Sequence, residues 1–255
     1  MIELYNHPLS PCGEKVRFAL LEKGLPFREV VVDLAEKENL RAEFLALNPR
    51  GLVPALRDGA TVVVESSVIN EYLDDAYPAP PLRPSRPGDR ARMRVWTKLV
   101  DERLHPAWPA LAWPVLIRPR WLGKSAGEVE AMLAAMPDPR KRERQRAMLA
   151  LGTETPEYRA SRGVLKDVLD EMERTLAADP WLAGEALSLA DLSLLPYVFA
   201  AELFGLGPWM LEDRPRCAAW YRRLCDRPAF GGDLRRLYPS PWLERVEAGL
   251  RSLSA

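Results

Sequence analysis

Val53-Pro54-Ala55-Leu56-Arg57-Asp58-Gly59-Ala60-Thr61-Val62-Val63-Val64-Glu65-Ser66-Ser67 is the stretch that decides the fold. Asp58-Gly59 lies between two short apolar runs, the strongest short-range signal for a tight hairpin. Pro54 has no backbone donor for a ladder, so it belongs at the start or edge of the first strand, Val53 to Arg57. Thr61 to Val64 is the second strand, and Ser66 to Asp75 reads as a helix. Upstream, Ile2 to Tyr5 is a short apolar strand. Pro11 to Lys23 carries Val16, Ala19 and Leu20 at helical spacing with Gly24 as its stop. Phe27 to Val32 is rich in β-branched residues, and the helix Leu40 to Leu47 ends at Asn48-Pro49. The order is strand–helix–strand followed by strand–strand–helix. It predicts a small mixed sheet, parallel in its first half and antiparallel in its second.

The chain changes character after residue 77. The run from Tyr77 to Gly88 is dense in proline, which predicts an extended inter-domain linker over residues 78–88. A first domain then covers residues 1–77 and a second, 89–255, in which no strand is evident. Arg90 to Leu104, Ala126 to Met136, Lys141 to Leu151, Ser161 to Ala178, Ser188 to Leu203 and Pro215 to Asp226 read as helices. Ser188 suits an N-cap, with Asp191 as a shorter stand-in for the usual glutamate of a capping box, and Leu187 and Leu192 are spaced as a staple. Trp108, Trp113 and Trp121 interleave with Pro106, Pro109, Pro114 and Pro119, a pattern of core packing joined by irregular loops.

Composition narrows the function classes. Hydrophobic residues make up 47% and charged residues 28% of the 255, the mix of a globular protein with a real core. Lys plus Arg equals Asp plus Glu at 36 each, so charge balance does not point to nucleic acid or an anionic membrane. The start lacks the basic and apolar regions of a signal peptide. The most apolar run, Leu192 to Phe199, is too short to span a bilayer and contains Pro196. Cys12, Cys217 and Cys225 stand at unrelated spacings, which fits reduced thiols and a cytoplasmic location. With His7 and His105 as the only histidines, metal-ligand spacing is absent and no metal site is expected. The basic run Lys141 to Arg146 reads as a solvated helix face.

Three features of the first domain carry chemistry. Ser10-Pro11-Cys12-Gly13 opens a helix just after a strand. Its plain reading is an N-cap serine followed by proline. The same geometry offers unpaired N–H groups, partial positive charge and a hydroxyl to a nearby thiolate. Val53-Pro54 reads as a strand start, or as a cis-proline turn that exposes the Val53 backbone to an extended peptide. Glu65-Ser66-Ser67 reads as another helix cap, or as a site where N–H groups and the Ser66 hydroxyl hold a carboxylate while Glu65 accepts from an ammonium.

Ser10-Pro11-Cys12, Asn48 to Leu56 and Glu65 to Ile69 with Tyr72-Leu73 together resemble, in order and spacing, the glutathione-binding pattern of the cytosolic glutathione transferase superfamily. The resemblance covers residues 2 to about 77 closely and the remainder loosely, through Leu187 to Asp191. It implies a thioredoxin-like domain followed by an all-α domain, with glutathione as cosubstrate, a hydrophobic electrophile and a homodimer. Ser10 stands where the serine-type branch places its thiolate-stabilising residue. Val53, Pro54, Glu65 and Ser66, with Asn39 and Leu52, stand at glutathione-binding positions, and Trp108 and Trp113 are candidates for the electrophile pocket. Asn39 and Leu52 depart from the basic or amide residues common there, so Arg41 or Arg50 is an alternative holder of the glycyl carboxylate. Arg92 to Lys98 and the stretch from Trp108 to Tyr158 are similar to bacterial β-aryl-ether-cleaving transferases. A glutathione-dependent reductase, isomerase or dehalogenase, and a non-catalytic binding protein, are the alternatives on the same fold. Ser10-x-Cys12 is not a dithiol motif, although Cys12 near a helix start is a candidate reactive thiol.

Overall fold

The computed structural model describes residues 1–253. The first domain holds β1 (Ile2–Asn6), α1 (Pro11–Glu22), β2 (Phe27–Val31), the single turn α2 (Ala42–Leu45), β3 (Ala55–Asp58), β4 (Thr61–Val64) and α3 (Ser66–Ala76). The sheet runs β2-β1-β3-β4. β1 pairs in parallel with β2 and antiparallel with β3, and the hairpin turns at Asp58-Gly59 as expected. Leu4, Leu20, Leu56, Ile69 and Leu73 are buried and tie sheet and helices together. Gly13 is set by packing. A β-carbon there would lie 1.4 Å from Asn6 Oδ1, so only glycine lets α1 close on the end of β1.

The segment after α3 is not a loose tether. Leu82 is buried, and its N–H donates to Asp74 while its carbonyl accepts from Leu189 N. Lys23 donates to Asp74 and to Pro80 O, so the stretch is bonded to both domains. The helical domain follows as α4 (Pro87–Leu99), α5 (His105–Leu116), α6 (Arg118–Leu122), α7 (Ala126–Ala134), α8 (Pro139–Leu151), α9 (Pro156–Thr175), α10 (Leu189–Ala201), α11 (Gly207–Leu211), α12 (Pro215–Cys225) and α13 (Ser240–Arg251). One wide π turn, Val100–Leu104, joins α4 to α5.

Two sequence expectations are corrected here. The proline-interleaved stretch after Trp108 is helix rather than irregular loop: Pro109 and Pro114 lie inside α5. Each removes a backbone donor, but burial of Trp108, Leu111, Trp113 and Val115 on one element outweighs the local preference. Residues 240–251 also form a helix that the sequence reading passed over. That helix approaches α5 closely at Gly249, where a β-carbon would fall 2.0 Å from Val115 O. The apolar run Leu189–Leu211 is long enough to cross a bilayer by composition, but 78% of its apolar window is buried within the fold, and α10 packs on both α1 and α4.

Acid should act on this fold at the strand end that leads into α1. Burial pushes His7 down to about 4, and its Nδ1 accepts from Leu9 N at 3.3 Å while the ring packs edge-on to Trp242. A base whose folded value lies below its unfolded value contributes fully above the unfolded value. The contribution therefore drops as pH falls from about 6.5 to about 4, by up to about 3 kcal/mol. Glu14 works in the opposite sense: burial raises it to about 7, so ionisation costs stability as pH rises toward neutrality. The two slopes overlap, so the measurement is a comparison of variants. His7→Phe should flatten the acid-side loss in urea titrations, and Glu14→Gln should flatten the neutral-side loss. Parallel curves for all three proteins would refute the assignment.

Candidate active site

A cleft of about 240 Å³ lies between the domains, lined by Cys12, Asn48, Arg50, Leu52, Val53, Pro54, Glu65, Ser66, Asp101 and His105. Three elements of the first domain converge on it. The Val53–Pro54 bond is cis and precedes β3. Asn48 fixes the approach, since its Nδ2 donates to Leu52 O at 2.6 Å and its Oδ1 accepts from Arg50 N at 3.1 Å. Glu65 stands at φ +70°, a conformation that costs a non-glycine residue of order 1–3 kcal/mol and is held only where surrounding structure over-determines it. It precedes α3, which begins at the buried Ser66 and has no side-chain cap from Glu65. Arg50 forms an ion pair with Glu65 at the rim.

The third element is the start of α1. Ser10 is its N-cap: Oγ accepts from Gly13 N at 3.3 Å, and the backbone bond from Glu14 N to Ser10 O closes the first turn. The bond from Gly13 N uses a lone pair of Oγ and leaves the hydroxyl proton available. Ser10 itself is not among the residues lining the cleft; Cys12, two positions on, is. Asn39 also stands outside the lining, where its Nδ2 donates to Gly51 O at 2.7 Å. Arg41 pairs with Glu38 away from the cleft, so of the two arginines considered for the glycyl carboxylate only Arg50 borders it. Trp108 is core, stacked on Phe204 and edge-on to Tyr197. Trp113 lines a second hollow of about 420 Å³ with Pro109, Ala110, Met136 and Met148, and Lys141 and Arg144 border it. Lys141 and Arg144 are both exposed there, in keeping with a solvated helix face.

The helical domain supplies residues that the sequence did not single out. Asp101 and His105 are four apart and both reach the cleft from the π turn and the start of α5. Cys12 Sγ lies 3.5 Å from His105 Nδ1 and 3.7 Å from Nε2, and Tyr197 Oη lies 2.9 Å from Nδ1. Burial raises the Cys12 thiol, but the His105 hydrogen bond and the charge of Lys15 outweigh it, so the thiol ends below its ordinary value. The Cys12 hydrogen bond raises His105 against the opposing effect of burial. Burial holds Tyr197 well above the usual phenol range, which keeps it a hydrogen-bond donor. Lys15, fully buried, donates to Asp101 at 2.5 Å, and Ser67 donates to the other Asp101 oxygen at 2.6 Å. These bonds lock α1, α3 and the π turn together behind the cleft. The only signal for His105 in the sequence was its rarity, because its partners lie 93 and 92 residues away.

Comparison with known proteins bears on this geometry. Residues 4–81 match the glutathione S-transferase N-terminal domain family, and residues 155–223 match the glutathione S-transferase C-terminal domain family. The chain belongs to the glutathione S-transferase family. It is 34% identical to glutathione S-transferase 3 of Zea mays, over 90% of this chain and 91% of that one. It is 31% identical to protein LigF of Sphingobium sp., over 89% and 91%. The crystal structure of β-etherase LigF superposes with a TM-score of 0.73 at 32% identity, covering 90% of this chain and 96% of that one. The family membership, the thioredoxin-like first domain and the all-helical second domain are those expected from the sequence, and the chain is an enzyme of that family.

Proposed function

We propose that the chain transfers glutathione to an apolar aromatic electrophile, with the tripeptide lying along the inter-domain cleft. The observation that carries this reading is the convergence on one cleft of a partly buried strand start at Val53-Pro54 and an uncapped helix start at Glu65-Ser66. An extended peptide pairs with the Val53 backbone, its γ-glutamyl carboxylate sits on the N–H groups of α3 and the Ser66 hydroxyl, and its ammonium faces Glu65. To receive the glycyl carboxylate beside Leu52, Arg50 leaves the ion pair that it makes with Glu65 in the unliganded cleft. The sulfur then falls at the start of α1. A free thiol has a pKa near ~8.5, so at neutral pH it needs help to ionise. The positive end of α1 and the Ser10 hydroxyl proton provide it.

The electrophile's apolar body rests in the hollow at Trp113. His105 and Pro109, one helical turn or ~6 Å apart on α5, border the cleft and the hollow respectively. The thiolate attacks carbon and a leaving group departs. The likeness to β-etherase LigF favours an aryl ether, with a phenolate leaving. The enzyme is further proposed to be a cytoplasmic homodimer; a single sedimenting species at the 28.8 kDa chain mass would refute the dimer.

Calorimetric titration with glutathione tests the site. Glu65→Ala and Ser66→Ala are expected to weaken binding by about 1.5–3 kcal/mol, the contribution of a hydrogen bond to a charged group. The Glu65 side chain does not cap α3, so no cap is lost with it; folded stability is measured separately for both variants. Unchanged affinity in both variants removes these residues from the site.

A further inference from the structure

The transfer proposed above makes no use of His105, although the π turn at Val100–Leu104 delivers its imidazole to the cleft. That imidazole stands where the two halves of the site meet. It borders the cleft with Cys12 and Val53, while Pro109, one turn further along α5, borders the hollow at Trp113. A sulfur at the start of α1 and an aryl ring in the hollow would flank it. When an aryl ether is attacked, the bond that breaks joins the reacting carbon to the oxygen of the leaving ring. With that ring in the hollow, the oxygen falls beside His105.

The imidazole has one engaged nitrogen and one open one. Tyr197 Oη lies 2.9 Å from Nδ1, and burial holds this phenol well above its usual range, so it keeps its own proton. A hydroxyl both donates and accepts, so Oη can take a hydrogen bond from Nδ1–H while its O–H turns toward Cys12 Sγ, 3.8 Å away. Nε2 has only the Cys12 sulfur near it among the described residues, at 3.7 Å. The neighbouring charged groups are already partnered. Asp101 accepts from the buried Lys15 and from Ser67, and Glu65 pairs with Arg50 at the rim. The second histidine, His7, packs on Trp242 and does not border the cleft.

We infer that His105 is the general acid of the transfer: Nε2–H protonates the leaving aryl oxygen, so the ring departs as a phenol. This deepens the proposed transfer and rests on the cleft being the glutathione site. The proton is the one that glutathione gives up. Its thiol passes the proton to Nε2 of the neutral imidazole, whose Nδ1–H stays on Tyr197. The thiolate, held by Ser10 and the positive end of α1, attacks carbon. A C–S bond forms, the C–O bond breaks with its electron pair going to oxygen, and the imidazolium hands the proton to that oxygen. The products are a thioether and a phenol, and His105 ends neutral as it began. A phenol has a pKa near ~10 and an imidazole near ~6.5, so the final proton transfer runs downhill. The Cys12 hydrogen bond outweighs burial and raises His105, which favours the protonated form that the step needs.

Two aryl ethers that share the attacked carbon and differ only in the leaving group, phenoxide or 4-nitrophenoxide, test this on the full-length protein at pH 7. Nitrophenoxide is the weaker base and departs without a proton, whereas phenoxide needs one. In the wild type the two kcat/KM values should differ by less than about tenfold, and His105→Gln should widen that gap by about a hundredfold, the lower end of what a positioned acid contributes. Glutamine still hydrogen-bonds but has no proton to give. Equal slowing of both ethers by His105→Gln overturns the assignment. A gap that widens in Cys12→Ala instead makes the thiol the acid and also overturns it. The wild-type comparison needs no variant to fold: a steep dependence on the leaving group there, or no cleavage of either ether, overturns it as well. Binding of S-methylglutathione is titrated on the same samples. Binding alongside any of these failures overturns the acid alone, and no binding by the wild type overturns it together with the glutathione site.

Discussion

Replacing Asp191 with alanine is expected to cost about 3–5 kcal/mol of stability, because four buried donors lose their acceptor at once. Asp191 Oδ1 accepts from Leu182 N at 3.0 Å and from Trp220 Nε1 at 2.9 Å. Oδ2 accepts from the Ser188 N–H and hydroxyl, both at 3.0 Å. With Ser188 as N-cap this completes the capping box of α10, the buried helix at the centre of the second domain. Burial raises the Asp191 carboxyl, and the four bonds pull it back. Alanine would leave the Trp220 indole N–H, two backbone N–H groups and a hydroxyl unpaired in a dry interior. Asp191→Asn should cost less than alanine, since its carbonyl oxygen still serves one pair of donors. Urea unfolding measures both, and a loss below 1 kcal/mol for alanine would show that water or rearrangement satisfies these donors.

Ser10→Ala should slow turnover of an aryl electrophile roughly tenfold to 150-fold, the equivalent of about 1.5–3 kcal/mol for a hydrogen bond to a charged sulfur. The bound glutathione thiol should also ionise at higher pH in the variant. The prediction is sharpened by the N-cap role of Ser10, whose Oγ accepts from Gly13 N. Loss of that cap costs ~1 kcal/mol of stability whatever the chemistry, so only a rate loss in fully folded protein counts. Cys12→Ala is the counter-test. If it abolished conjugation while Ser10→Ala did not, the serine mechanism would give way to one built on the Cys12–His105 pair.

Much of the first domain was legible because its signals are local. Asp58-Gly59 marks the hairpin, Ser10-Pro11 opens α1, and Glu65-Ser66 opens α3, each within a few residues of the feature it specifies. Val53, Pro54, Leu52, Glu65 and Ser66 do meet in one cleft. Asn39 was placed by resemblance, and its side chain is engaged by the Gly51 carbonyl. The second domain was less legible. Pro109 and Pro114 argue locally against helix, and only tertiary burial of the intervening tryptophans and leucine overrides them. The meeting of Cys12, His105 and Tyr197 depends on three elements docking, and no spacing along the chain encodes it.

The π turn at Val100–Leu104 works as a phase shifter. A straight α-helix advances 100° per residue, and one extra residue in a turn rotates everything beyond it by about that angle relative to everything before it. α4 stays bound to α10 while α5 presents His105 to the cleft and Trp113 to the hollow beyond. Removing a single residue from the turn would restore regular winding and aim a neighbouring position at Cys12 instead. The aim of the imidazole is thus set by a count of residues in one turn, and a lineage could change it by insertion or deletion there without altering any side chain in the cleft.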